Sequence, residues 1–580
     1  MPQFPPLVKT LRKAFPILEW LPNYRRQDLG SDLAAGITIG AMQIPQGMAY
    51  AMLAGLAPIT GLYAALVGLV VYPILGTSRQ LSVGPTAMDS LLVASALGAL
   101  GAMSQNTYAT LAALLAMMIG ALQLTMGLLR LGFLVNFLSQ PVISGFASAA
   151  AFIIGFSQLK YLFRVDIHNS QQIHKVLIQL WAHLGEVHWP TLAVGGGFLL
   201  FMILLRYWKP GWPSALLVVV FSVVLVRLFH LEKTGLRIVG NMPHGLPHFQ
   251  LPQVSLQQIE ALIPGAFTIA LVSFMESIAI AKKFAETEGY TVRHNQELIA
   301  LGLSDLTAGA FGGYHVGGSP SRTAANVFAG ARTQLASLIT ALTIALTLLF
   351  FTPLFYYLPQ AALAAIVIMA VTGLVDLREP LRLWRIRKED FAVLAFTFFS
   401  TLALGVIRGL LLGIAISLVI IIRRISYPEF AILGRIPGTN VLRNIKRAPE
   451  AREIEGLLVF RVFASLYFAN VQYVKDQLQQ ALARRKGKVK FVLFDASSIN
   501  EIDAQAVRAL EEMVEELAHR GVSFYMSNVR GPVRDVLQRA GFYQKLGEDH
   551  FFYSKEEAVE VLERRLRAQV ASAEMPGQRS

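Results

Sequence analysis

Apolar residues run in stretches of about 20 from Ser31 to Arg423, long enough for a helix to cross the hydrocarbon of a bilayer. Leu111 to Leu129, Ser214 to Phe229, Leu335 to Phe351 and Phe391 to Leu404 are examples, with few charges inside them. The pattern predicts a bundle of membrane-spanning helices. After Arg423 it changes to short alternating strands and charged amphipathic helices, the mark of a separate water-soluble domain.

That second region reads as a strand at Gly456 to Val462, a helix near Asn470 to Arg484, a strand at Lys490 to Asp495, a helix near Ala504 to Arg520 and a strand at Val522 to Ser527. Strands alternating with helices predict an α/β sandwich with one sheet. The expected organisation is an N-terminal cytoplasmic or interfacial segment at 1–30, a transmembrane domain at 31–430, a cytoplasmic α/β domain at 431–566 and a tail at 567–580.

Two apolar segments are too short to span. One runs from Pro85 to about Leu97, entered through Ser82, Val83 and Gly84; the other runs from Pro320 to about Ala331, entered through Gly312 to Gly318. Broken helices of this kind are tolerated at membrane depth where they line a cavity, so the pair marks the expected substrate site. Counting spans gives about fourteen segments, the two short ones included.

Composition supports the membrane reading: 15% of the 580 residues are charged, and the mean hydropathy is +0.51. The net charge of +14 raises the question of nucleic acid. The basic residues instead cluster at span ends, at Arg206 and Lys209, Lys282 and Lys283, Arg378 through Lys388, and Arg423 and Arg424. Placed on the cytoplasmic side, these clusters put both termini inside and leave no nucleic-acid footprint. The chain has no cysteine, which excludes disulfides, thiolate catalysis and cysteine metal sites. Residues 1–30 interleave Lys9, Arg12, Lys13, Arg25 and Arg26 with prolines, so no cleavable signal peptide is expected. No phosphate-cradling Gly-rich loop follows a strand, and His244 and His248 sit in a polar loop without metal-ligand spacing. No enzyme activity and no cofactor are expected.

The chain carries an internal echo. Ile37-Thr38-Ile39-Gly40 and Phe267-Thr268-Ile269-Ala270 open similar segments at an offset of 230, which places Gln46 on Glu276 and Ala49 on Ala279. At an offset of 234, Gly84 falls on Gly318 and Thr86 on Pro320. An odd number of spans between the copies makes the repeat inverted, seven segments facing seven.

Gln43 to Ala51, Leu56 to Tyr63 and Gly76 to Pro85, followed by Glu276-Ser277-Ile278-Ala279 and Gly318-Ser319-Pro320-Ser321-Arg322, give the chain its family character. Over these stretches it resembles the sulfate permease (SulP) family of anion transporters, and its C-terminal part resembles STAS domains. The resemblance implies a seven-plus-seven inverted repeat, a core domain moving against a gate domain, and a homodimer. The function expected is secondary active transport of small oxyanions, with proton-coupled sulfate uptake by alternating access in a bacterial cytoplasmic membrane. The alternatives are bicarbonate or dicarboxylate transport coupled to sodium or protons, or an anion exchanger or channel.

Two helix N-termini facing across a cavity make an anion site, since each bears about half a unit of positive charge and unpaired N–H groups. On the second half-helix Ser319 and Ser321 can donate hydroxyls, the N–H groups of Ser321 to Ala324 are expected to be free, and Arg322 can bind the anion. On the first, Thr86 and Ser90 share a face. Gln46 and Tyr50 lie four residues apart on one helix face, which in the family lines the anion cavity. Glu276 sits amid apolar residues; it either carries the coupling proton or pairs with Arg322 in a salt bridge that the anion competes for. Asp89 departs from the expected pattern, because a carboxylate there repels a dianion unless it points away or alters ion coupling. In the STAS-like region the turn Asp503-Ala504-Gln505-Ala506 has no hydroxyl, which leaves phosphorylation there without a target; the domain is expected to serve folding, dimer contacts or partner binding.

Overall fold

In the computed structural model, which describes residue 12 and residues 14–101, 103–133, 139–167, 172–209 and 212–573, the apolar stretches form helices. After a short turn at Ile17–Trp20 come α1 (Leu29–Leu53), α2 (Pro58–Leu75), β1 (Val83–Gly84), α3 (Ala87–Gly98), α4 (Gln105–Leu128), α5 (Gln140–Phe163), α6 (Ile173–Ala182), α7 (Trp189–Trp208) and α8 (Ser214–Phe229). They are followed by α9 (Leu256–Thr287), α10 (His294–Ala310), β2 (Gly317–Gly318), α11 (Pro320–Phe328), α12 (Leu335–Leu346), α13 (Gln360–Val371), α14 (Arg378–Ile386), α15 (Lys388–Leu404) and α16 (Val406–Ser426). Among the described residues eight helical stretches are long and apolar enough to cross a membrane, and α3 and α8 are shorter apolar helices. The chain is thus an α-helical membrane protein with a separate α/β domain; the two compact units divide between Ser417 and Leu418.

Small residues let the helices of the first unit approach closely. A Cβ added at Gly120 of α4 would lie 2.5 Å from the carbonyl oxygen of Gly302 on α10, so only glycine fits the α4–α10 crossing. Buried carboxylates then fix the loops on either side of the short helices. Glu297 accepts from Tyr72 Oη at 2.5 Å, and from Thr77 N and Thr77 Oγ1 at 2.6 Å each. Asp32 accepts from the backbone of Arg332 and Thr333 and from Thr333 Oγ1. Each acid is saturated with donors, which offsets the cost of burying its charge.

The second unit is a six-stranded sheet in the order β4-β3-β5-β6-β7-β8, formed by β3 (Phe430–Arg435), β4 (Leu442–Asn444), β5 (Leu457–Val462), β6 (Phe491–Asp495), β7 (Ser523–Ser527) and β8 (Phe551–Phe552). Strands β5 to β8 are parallel and β3 is antiparallel to both neighbours. Parallel neighbours require crossovers, here α17 (Val471–Arg484) and α18 (Ala504–His519), with α19 (Gly531–Arg539) and α20 (Phe542–Leu546) between β7 and β8. The period of two sends Leu458, Phe460 and Val462 into one apolar cluster with α17 to α20, and Leu457 and Val459 into another with α21 (Lys555–Ala573). Asp503 caps α18, accepting from Ala506 N at 2.7 Å and Phe468 N at 2.8 Å.

Candidate anion site between two half-helices

The two short helices are brought together by the smallest possible sheet. β1 and β2 pair antiparallel, Val83 opposite Gly318 and Gly84 opposite Gly317, and Ser319 N extends the pairing by donating to Ser82 O at 3.1 Å. Neighbouring side chains complete the joint: Gln43 of α1 donates to Val83 O at 3.2 Å, and Ser277 Oγ of α9 accepts from Gly318 N at 2.8 Å. Gly84 holds φ +154°, a conformation L side chains rarely adopt, and a Cβ there would also displace the Gln43 amide, 2.2 Å away, from the joint. Immediately beyond the joint both chains turn into helix, α3 capped by Thr86 and α11 by Ser319.

Arg322 occupies the space between the two helix starts. It is fully buried. Its Nη1 donates to Pro85 O at 2.9 Å, while Nε and Nη2 have no hydrogen-bond partner among the described residues. The phenols of Tyr50 and Tyr314 lie within charge–charge range of the guanidinium, and Tyr50 and Gln46 are buried, with Gln46 Oε1 unpartnered. Unlike Pro320 and Ser321, which are exposed, these groups are shut away from bulk solvent.

Several expectations change at this level of detail. Thr86 is not a free donor: its hydroxyl donates to Asp89 Oδ2 at 2.9 Å and accepts from Asp89 N at 3.1 Å. Ser90 shares a 2.9 Å hydrogen bond with Tyr314 Oη. On α11 the expected run of free N–H groups is shorter, because Arg322 N donates to the cap Ser319 Oγ at 3.4 Å and Thr323 N donates to Ser319 O at 2.9 Å. The Ser319 and Ser321 hydroxyls lie 3.4 Å apart. The unpaired first-turn donors are Ser321 N on α11 and Ala87 N and Met88 N on α3, as helix geometry requires.

No ion pair joins Glu276 to Arg322 among the described residues, which removes the salt-bridge reading of Glu276. Glu276 is half-buried, its Oε2 lacks a partner, and the charged groups in range of it are Asp89 and His315.

His315, Asp305 and Tyr314 lay outside the sequence-based site. His315 Nδ1 meets Asp305 Oδ1 at 2.9 Å, and Nε2 stands 3.5 Å from Asp89 Oδ1. Asp305 also accepts from Val316 N at 2.8 Å. All three side chains are buried to 1% exposure or less. Only the Asp305 contact is a hydrogen bond; Nε2 and Asp89 Oδ1 face each other without one, and an imidazolium held by Asp305 would be the counter-charge to Asp89. Gly317 makes room for the pair: a Cβ there would lie 2.3 Å from Asp89 Oδ2. The signal available in sequence was a histidine set in an apolar, glycine-rich loop ten residues after an equally isolated aspartate.

Away from this centre, a cavity of about 1000 Å³ opens at the far end of α3, lined by Met52, Leu91, Ser95, Tyr108, Lys160 and Arg408 among others. It does not reach Arg322.

A buried cation with free donors, framed by two half-helices among apolar helices long enough to span, defines a membrane protein built to handle an anion. Comparison with known proteins gives the particular family. Residues 29–397 match the model described as the sulfate permease family and residues 448–558 match the STAS domain. The chain belongs to the sulfate permease family, and is an anion transporter, not an enzyme. It is 39% identical over 567 residues to Probable sulfate transporter 4.2 of Arabidopsis thaliana, covering 94% of this chain and 83% of that protein. It is 36% identical over 552 residues to a probable sulfate transporter of Mycobacterium tuberculosis, covering 94% of this chain and 98% of that one. Among solved structures, that of SLC26A9 superposes with a TM-score of 0.88 at 26% identity, covering 98% of this chain and 95% of that chain.

Proposed function

We propose that this protein takes up sulfate by proton-coupled secondary active transport. The observation that carries the reading is Arg322: a fully buried guanidinium with two unpartnered nitrogens. A lone buried cation costs several kcal/mol, and a dianion seated against it offsets that cost. Ser321 N, Ala87 N and Met88 N supply further donors at the helix starts, and Gln46, Tyr50, Ser319 and Ser321 border the same space. Thr86 and Ser90 act one step back, Thr86 by turning Asp89 toward His315 and Ser90 by holding Tyr314. Glu276, partly accessible and unpaired, takes and releases the coupling proton. The names of the plant and mycobacterial relatives favour sulfate as the cargo.

In this reading fourteen segments form two inverted sets of seven, and a core carrying α3 and α11 moves against a gate. The protein works as a homodimer in a bacterial cytoplasmic membrane with both termini and the STAS domain inside.

Radiolabelled uptake into proteoliposomes tests this. An inward proton gradient should drive sulfate accumulation above equilibrium, competed by sulfate more strongly than by bicarbonate, nitrate, oxalate or fumarate. Arg322→Gln should abolish saturable uptake. Equilibration without accumulation, or full activity of Arg322→Gln, would overturn the reading.

A further inference from the structure

The helix α14 has no part in the anion site, yet its surface is organised. At Val375 the backbone leaves the helical region, ending the turn that continues α13, and a new nine-residue helix, Arg378–Ile386, starts behind Asp376, whose Oδ1 accepts from Arg378 N and Glu379 N. Around its axis three stripes follow one another. Leu383 is the buried contact to the rest of the unit. Next come Leu377, Leu381 and Trp384, spaced i, i+4, i+7 and 74%, 65% and 52% exposed. Beside them stand Arg378, Arg382 and Arg385, all exposed, continued past the helix end by Arg387 and Lys388, with Lys388 Nζ 5.5 Å from the Trp384 ring centre. The acids near them are Glu379, 3.6 Å from Arg382, and Glu389 and Asp390 beside Arg387.

Its place in the fold fixes what can cover the apolar stripe. α14 joins α13 to α15 and lies near the C-terminal end of α7, whose Arg206 donates to Thr372 Oγ1 at 3.3 Å. At the other end of α7, about 30 Å away for a helix of 20 residues, lies a second short amphipathic helix, α6. It too exposes apolar side chains, Leu177, Ile178 and Trp181, but its bases are only His174 and Lys175. Both helices flank the two ends of α7, one of the stretches long and apolar enough to cross a membrane. Only α14 carries a row of arginines.

We propose that α14 lies in the membrane surface and binds anionic lipid headgroups: Arg378, Arg382 and Arg385 take lipid phosphates, while Leu377, Leu381 and Trp384 enter the acyl boundary. An apolar face flanked by a guanidinium row is the arrangement such an interface selects. Guanidinium forks suit phosphate oxygens, and α6, without the row, marks the surface where that attraction is absent.

The test uses the full chain in detergent, titrated with phosphatidylglycerol or phosphatidylcholine and read by native mass spectrometry. The preference for phosphatidylglycerol should fall by about a hundredfold in Arg378→Gln/Arg382→Gln/Arg385→Gln, shrink with added salt, and persist in Lys486→Gln/Lys488→Gln/Lys490→Gln. Because the chain has no cysteine, Leu381→Cys gives one labelling site without further changes. A spin label there, in phosphatidylcholine–phosphatidylglycerol vesicles, should be reached by oxygen and not by an aqueous nickel chelate. An undiminished preference in the arginine variant would overturn the proposal. So would a label shielded from both reagents, which would mean that the second unit or another copy of the chain covers the stripe, or a label open to the chelate, which would mean that water does.

Discussion

Removing the His315 side chain charge tests whether this chain carries Asp89 only because it also carries His315. The two charges stand 3.5 Å apart with no hydrogen between them well placed, and the opposite ring nitrogen holds Asp305 at 2.9 Å. At an effective dielectric constant of about 20, a separation of this size corresponds to a gross attraction of roughly 5 kcal/mol, part of which is spent on burying both groups. In His315→Gln, Asp89 and Asp305 lose the shared cation, and the Asp89 charge opposes the incoming dianion and competes for Arg322. The apparent affinity for sulfate should drop on the order of 10- to 100-fold, about 1.4–2.7 kcal/mol. Asp89→Asn removes the offending charge, so the double variant Asp89→Asn/His315→Gln should recover most of that loss. The coupling energy in the cycle should be about 1.5–3 kcal/mol. The assay is the KM and maximal rate of sulfate uptake in proteoliposomes for all four proteins, with thermal unfolding as a check on folding. Strictly additive effects, or a His315→Gln variant with unchanged KM, would refute the pairing argument.

Three further outcomes follow from the geometry. Glu276→Gln should leave sulfate binding intact but remove the response of uphill uptake to a proton gradient; retained proton-driven accumulation would sink the coupling role. Gly317→Ala forces a methyl to within 2.3 Å of Asp89 Oδ2, so uptake should fall sharply, and Asp89→Asn should not rescue it because the amide occupies the same space. In the second unit, Asp495 is fully buried and accepts from Arg461 Nε at 2.9 Å, Ser497 N at 3.1 Å and Asn528 Nδ2 at 3.2 Å. Asp495→Ala should therefore destabilise a fragment beginning after Ser426 by about 3–5 kcal/mol in urea unfolding.

The places where sequence reasoning succeeded share a cause. Spans are legible because lipid leaves the backbone no other way to satisfy its hydrogen bonds, and the short helices because glycine, proline and hydroxyl residues interrupt an apolar run. Pro85 was expected to open the first of them, whereas helix begins at Ala87. Thr86 stays extended as the cap, and Pro85 O serves Arg322. Asp89 stood out as a misfit, but its partner did not: His315 is 226 residues away, and only the β1–β2 joint brings the two loops together. Opposite charge alone made a pair of Glu276 with Arg322 attractive, while the fold directs the arginine to Pro85 O and leaves the glutamate within range of Asp89 and His315.

The two-residue strands β1 and β2 have a mechanical consequence. Backbone bonds from each half of the chain hold both half-helices in one rigid cradle, so the groups around Arg322 cannot part without breaking that joint. Under the alternating access proposed above, the cradle would travel as one body with its cargo, and the anion would meet the same donors from either side of the membrane.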